Sequence, residues 1–182
     1  MIRPLKQKQS GFTLIELLLV IGFIAGALVL AFVTFPKVQA SSRANTEGTH
    51  ITTIVAGIKN LYSTAQSYST VSNSVLLSAK IFPDDMQVSG SNVSNVWGGN
   101  VTVAPTLGAS GVGSNLAFTI TYTDVPQNEC NKLATGVATN YLKEVVNSAI
   151  VMDKTTTNVS IDPGLVAGNC ANQNNTIVIT AN

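Results

Sequence analysis

Charge is scarce in this chain. Only 10% of its 182 residues are Asp, Glu, Lys or Arg, and one histidine, two cysteines and one tryptophan complete a thin inventory of reactive or recognition chemistry. These absences exclude whole classes of function. Cys130 and Cys170 have neither C-x-x-C spacing nor histidine partners, which removes zinc and thiol redox catalysis. No glycine-rich loop is built to cradle phosphates. Beyond residue 40 no cluster of Lys or Arg forms the electrostatic footprint of a nucleic-acid surface. His50 lies on a polar stretch and is expected as a solvated side chain rather than a general base. Asp84-Asp85 read as a turn, because two adjacent carboxylates without further spaced ligands do not make a calcium loop. Asp124 and Glu129 fall near a helix start, where acids cap N–H groups and suit the dipole. Neither a catalytic constellation nor a cofactor is expected.

What the chain does have is a long apolar run near its beginning. From Leu17 to Phe35 there are 19 residues without a charge, about 28 Å of helix at ~1.5 Å per residue and close to the hydrocarbon thickness of a bilayer. Arg3, Lys6 and Lys8 precede it, which keeps the short leader cytoplasmic and exports everything after Lys37. Glu16 stands at the edge of the span. An acid there costs roughly 2.5–3.5 kcal/mol on insertion scales, less near the interface, so it is a candidate functional residue by default. A secretory signal would carry its small-residue cleavage site after the apolar run. Here the small residue, Gly11, comes before it, so cleavage at Gly11 would leave the hydrophobic helix on the mature protein. Without the three leading bases the side chains count seven basic against nine acidic, a net charge of −2. The even cysteine count in an exported region reads as one disulfide with 39 residues between its ends, worth about 3–4 kcal/mol in the chain-entropy model.

Periodicity organises the rest. Ile51, Ile54, Val55, Ile58, Leu61 and Tyr62 repeat at spacings of three and four, the stripe of an amphipathic helix. One long helix is therefore expected from Phe12 to about Gln66, roughly 80 Å at ~1.5 Å per residue. Pro36, which lacks an N–H, and the Gly22/Gly26 pair are its expected places of bending, with Gly48 and Gly57 as further ones. Leu116, Phe118, Ile120 and Tyr122 alternate on one face of a strand. A helix after Pro126 is expected to carry Cys130, Leu133, Val137, Tyr141 and Val145 on one stripe. Val151, Val159-Ser160-Ile161 and Thr176–Thr180 are short strand candidates, and Trp97-Gly98-Gly99-Asn100 a turn. The expected fold class is α+β: a twisted antiparallel sheet laid on the second half of a long helix. The organisation reads as residues 1–11, a leader; 12–36, the membrane half of the helix; 37–66, its amphipathic half; and 67–182, one head.

The run Gly11-Phe12-Thr13-Leu14-Ile15-Glu16, between a basic leader and a full-length apolar helix, resembles the signal of type IV prepilins. That resemblance implies a prepilin peptidase that cuts between Gly11 and Phe12 and methylates the new amino terminus of Phe12. It implies that Glu16, fifth in the mature chain, pairs with the Phe12 ammonium of a neighbouring subunit and sets the register of assembly. Gly22-x-x-x-Gly26 fits a close helix–helix contact. Gln127-Asn-Glu-Cys130-Asn-Lys-Leu, followed by Cys170 near the end, is similar to type IVb pilins, the group of the toxin-coregulated pili and the thin pili of conjugative plasmids. The 11-residue leader and Phe12 follow type IVa habit instead.

The function so implied is that of a structural subunit, read as a major pilin. It would wait in the bacterial inner membrane as a precursor and then polymerise into an extracellular filament for adhesion, cell–cell contact, aggregation or mating. The partners implied are other copies of the chain, the peptidase, an inner-membrane assembly platform with its cytoplasmic ATPase, an outer-membrane secretin and minor pilins. A type II secretion pseudopilin and a minor tip subunit acting as adhesin or DNA receptor are the alternatives within the superfamily.

Overall fold

The computed structural model describes residues 11–107, 115–137, 141–156 and 160–182. The leader bases Arg3, Lys6 and Lys8 and the strand candidate's Val159 lie outside them. The chain divides into two compact units, one ending at Gln39 and one comprising Ala40–Asn182. Helix α1 (Leu14–Leu61) runs through the boundary. Thr13 caps its start: the Glu16 N–H donates to the Thr13 carbonyl at 3.1 Å and to Thr13 Oγ1 at 3.3 Å, and the spacing Thr13-x-x-Glu16 is that of a capping box. Pro36 is accommodated inside the helix assignment.

The helix ends at Leu61, five residues before Gln66. The Tyr62 ring packs on Tyr68 with centroids 5.4 Å apart and its hydroxyl pairs with Thr70 at 3.0 Å. This tertiary contact folds the chain back where helix propensity alone would have let it continue.

In the second unit the helical stripe is buried from Ile51 to Ile58, whereas Leu61, where the helix ends, is exposed and Tyr62 is half-buried. Ile51, Ile54, Val55 and Ile58 share one core with Phe118, Ile120, Tyr122, Ile177 and Ile179. The sheet has seven strands, β1 (Gln87–Ser89), β2 (Asn92–Ser94), β3 (Asn100–Thr106), β4 (Ala117–Val125), β5 (Lys143–Val146), β6 (Ala149–Asp153) and β7 (Asn175–Ala181), in the order β1-β2-β3-β4-β7-β5-β6. All neighbours are antiparallel. The last strand is thus inserted between two that precede it, pairing Ile120 with Ile179 on one side and Glu144 with Ile179 on the other. Among the described residues the unit has three further helices: α2 (Asn73–Ser78), α3 (Gln127–Val137) and α4 (Pro163–Asn169). The Cys130–Cys170 disulfide, Cα atoms 5.8 Å apart, ties the first turn of α3 to the chain just after α4.

Several expectations need correction. Leu116 is exposed and precedes the strand, which starts at Ala117. Helix α3 (Gln127–Val137) buries Cys130, Leu133 and Val137; Tyr141 and Val145 do not extend its stripe, because Lys143–Val146 pairs with β7 as a strand. Ser160 and Ile161 are irregular rather than strand. Helix α4 has a local cause in Asp162-Pro163: the Asp162 carboxylate accepts the N–H groups of Gly164 and Leu165, with proline in the first turn. Gly57 is a packing position rather than a bend, since a Cβ there would lie 2.5 Å from Ile81 Cγ2.

Gly99 is the position where the fold most needs glycine. A Cβ would stand 1.9 Å from the Thr123 carbonyl oxygen, and that neighbour is backbone. Gly136 in α3 meets nothing within 4 Å. Gly99→Ala is predicted to lower unfolding stability by about 1–3 kcal/mol or more. Gly136→Ala should leave it equal or higher by up to about 1 kcal/mol. Denaturant titration of the full chain in detergent checks both; equal effects would contradict the packing.

Candidate assembly helix and its polar anchors

The first unit is a helix whose described large apolar side chains are exposed. Phe12 is 83% exposed, and Leu14, Ile15, Leu18, Phe23, Leu28, Phe32 and Phe35 are all exposed too. The helix is long and apolar enough to cross a membrane. Gly11 and Phe12 lie in the non-helical segment before α1, and Glu16 sits exposed in its first turn, where a negative charge suits the positive end of the dipole. Among the described residues no cation pairs with Glu16 within salt-bridge distance. A Cβ at Gly22 or Gly26 would meet nothing within 4 Å. Among the described residues no packing requires these glycines.

Two groups that sequence reading misjudged or missed lie in the second unit. His50 is buried, 8% exposed, not solvated. Its Nδ1 lies 3.2 Å from Glu47 Oε2 and its Nε2 3.1 Å from Asp85 Oδ2. Glu47 is 1% exposed and its Oε1 accepts the Val96 N–H at 2.6 Å. Burial, followed by the Glu47 carboxylate beside it, pushes the Tyr122 phenol well up; its hydroxyl makes no direct hydrogen bond of good geometry.

Only the i, i+3 spacing of Glu47 and His50 was visible in the sequence, since Asp85 and Val96 are 35 and 49 positions away. Asp84-Asp85 form the turn expected. Asp124 caps no helix: it sits in β4 at φ 56° and accepts from Thr123 Oγ1 and Asn174 Nδ2. Trp97 packs half-buried against the core.

Glu144 is wholly buried, and neither carboxyl oxygen has a hydrogen-bond partner among the described residues. Burial pushes its pKa up to about 8, so at neutral pH it stays mainly a neutral acid. Its β5 neighbour Lys143 reaches Asp153 of β6 at 3.4 Å, and Asp153, despite some burial, is held low by Thr155 and Lys143. Among the described residues no group of three or more His, Cys, Asp or Glu side chains is arranged to hold a metal ion.

Comparison with known proteins places this geometry. A family model described as PilS N terminal matches residues 41–182. The crystal structure of a type IV b pilin from Salmonella typhi matches at a TM-score of 0.62 and 25% sequence identity, over 76% of this chain and 99% of that one. TcpA, a type IV pilin from Vibrio cholerae El Tor biotype, matches at a TM-score of 0.59 and 14% identity, over 79% of this chain and 99% of that one. The latter likeness is one of fold. No curated protein matches the sequence.

Glu144 yields a pH dependence. Its folded pKa lies above the ordinary carboxylate value, so the unfolded chain binds fewer protons as pH rises. Its contribution to stability is therefore predicted to fall progressively between about pH 4.5 and pH 8. Glu144→Gln should remove this component and flatten the stability–pH profile in that window, read by denaturant midpoints at several pH values. A profile identical to the wild type would show that Glu144 does not carry it.

Proposed function

The chain belongs to the PilS family of type IV pilins, and on that premise we propose that it is the major subunit of an extracellular pilus whose filament is held together by its N-terminal helices. It is a structural pilin subunit, not an enzyme. The observation that carries the finer reading is the helix whose apolar side chains are exposed on every side, with one acid in its first turn. Lipid covers such a surface before assembly, and the helices of other copies cover it afterwards.

The precursor is held in the inner membrane by this helix. Prepilin peptidase removes residues 1–11 and methylates Phe12, leaving an amine that is still cationic. Glu16 of an incoming subunit then pairs with the Phe12 ammonium of its neighbour. A lone carboxylate in an apolar helix bundle is costly, and a subunit out of register strands one. The pair therefore sets axial register. Within the monomer Glu16 already has work, its backbone N–H bonding Thr13 at the capped helix start; in the filament its side chain gains a second role. Pro36 and the Gly22/Gly26 pair are places where the helix yields or packs closely.

The assembly platform and its ATPase, the outer-membrane secretin and minor pilins are the partners this route requires. Contact with surfaces and with other cells, including mating, is the activity such a filament serves.

Glu16→Ala is expected to leave insertion and leader cleavage intact while reducing sheared filament by tenfold or more, with processed subunit accumulating in the membrane. Glu16→Gln should fail similarly, because it lacks the charge. Filaments at wild-type yield from either variant would sink the register argument.

A further inference from the structure

The tightest grouping of polar chemistry outside the N-terminal unit lies where α1 passes the loop before β1. Glu47 and His50, three residues apart on α1, meet Asp85 of that loop. A cavity of about 130 Å³ adjoins them, lined also by Thr46, Met86, Gln87, Ser94, Asn95 and Val96, none of which ionises. The groups that titrate here are thus His50, Glu47 and Asp85, with Asp84 next in sequence and the Tyr122 phenol of β4 beside Glu47.

Hydrogen-bond capacity decides what the ring must be. An ionised carboxylate only accepts, and a neutral imidazole has a single N–H to give. His50 faces Glu47 at 3.2 Å through Nδ1 and Asp85 at 3.1 Å through Nε2, so both contacts are hydrogen bonds only when the ring carries both protons.

The two carboxylates do not tolerate losing a donor equally. Glu47 is sealed in the core at 1% side-chain exposure, where an unpaired charge is expensive, whereas the Asp85 side chain is 64% exposed and regains water. When the ring loses one proton, the remaining one therefore stays on Nδ1 with Glu47, and the bond to Asp85 is the one that breaks.

We propose that His50 is a proton-operated clip that fastens the Pro83–Met86 loop to α1 when doubly protonated and releases it when neutral. What the loop carries gives the clip its reach. It leads directly into β1, a three-residue edge strand exposed at every position and hydrogen-bonded only to β2. Met86 stays packed in the core, but a short edge hairpin is marginal without support, so letting go of Asp85 removes a tether from the turn and loosens the exposed strand Gln87–Ser89 that follows it. As pH falls the clip closes and the sheet edge is fixed; as pH rises through the His50 titration it opens.

The chain has one histidine, so any imidazole signal belongs to His50. The full chain in detergent micelles, with labelled histidine, is titrated by NMR while amide exchange of Met86–Ser89 is followed over the same pH range and corrected for intrinsic rates. The clip predicts exchange about tenfold faster once the ring is neutral, with the remaining proton on Nδ1. It also predicts that Asp85→Asn exchanges fast and without a pH step, while Asp84→Asn behaves as wild type. An exchange rate that ignores the His50 titration, a step that survives in Asp85→Asn, or a neutral ring protonated on Nε2 would each overturn it.

Discussion

Everything in this protein answers to an apolar surface that the chain itself does not cover. Fifteen large apolar side chains between Phe12 and Phe35 are exposed. At roughly 1.5–3 kcal/mol gained per such side chain on leaving water, the driving force to cover them is on the order of tens of kcal/mol. These side chains are exposed in the monomer, and their surface is large. It must go into lipid or against the same surface on other copies, and a family of filament subunits is what such a sequence belongs to. In that setting the rare charge matters more than the common apolar contact. On the proposed assembly, burial against other helices sets axial position only weakly, whereas a carboxylate such as Glu16 is satisfied only where a cation meets it.

The second unit is built so that its part of the same helix becomes a structural core. Ile51, Ile54 and Ile58 are fully buried against the sheet's inner face. The sheet closes through its last strand, because β7 must reach its place between β4 and β5 before either inner neighbour is paired on both edges. Such non-local closure is entropically slow, and the Cys130–Cys170 link anchors the chain five residues before β7 begins. The disulfide thereby shortens the search for the one strand on which the sheet's continuity rests.

What was legible in the sequence were the elements with strong period and local cause. The long helix, the strand of Phe118, Ile120 and Tyr122, the strand at Thr176–Thr180 and the start of the helix after Pro126 all carry their burial pattern in neighbouring residues. What was not legible depends on register and on distant partners. Lys143-Glu144-Val145-Val146 reads as a continuation of the α3 stripe until β7 pairs with it, and that pairing turns Glu144 inward opposite Ile179. His50 reads as solvated because Asp85 and Val96 lie far along the chain. Gly11, Phe12 and Glu16 form one local motif in the sequence, and all three are exposed in the structure; the assembly role proposed for them rests on that motif and not on packing within the monomer.

The most direct measurement is the N-terminus and intact mass of the main protein in filaments sheared from cells. The account predicts a subunit that begins at N-methylated Phe12 and is two hydrogens lighter than the reduced chain, as one Cys130–Cys170 bond requires. A chain that stays in the membrane fraction with Met1–Gly11 still attached, and is missing from sheared fibres, would contradict it.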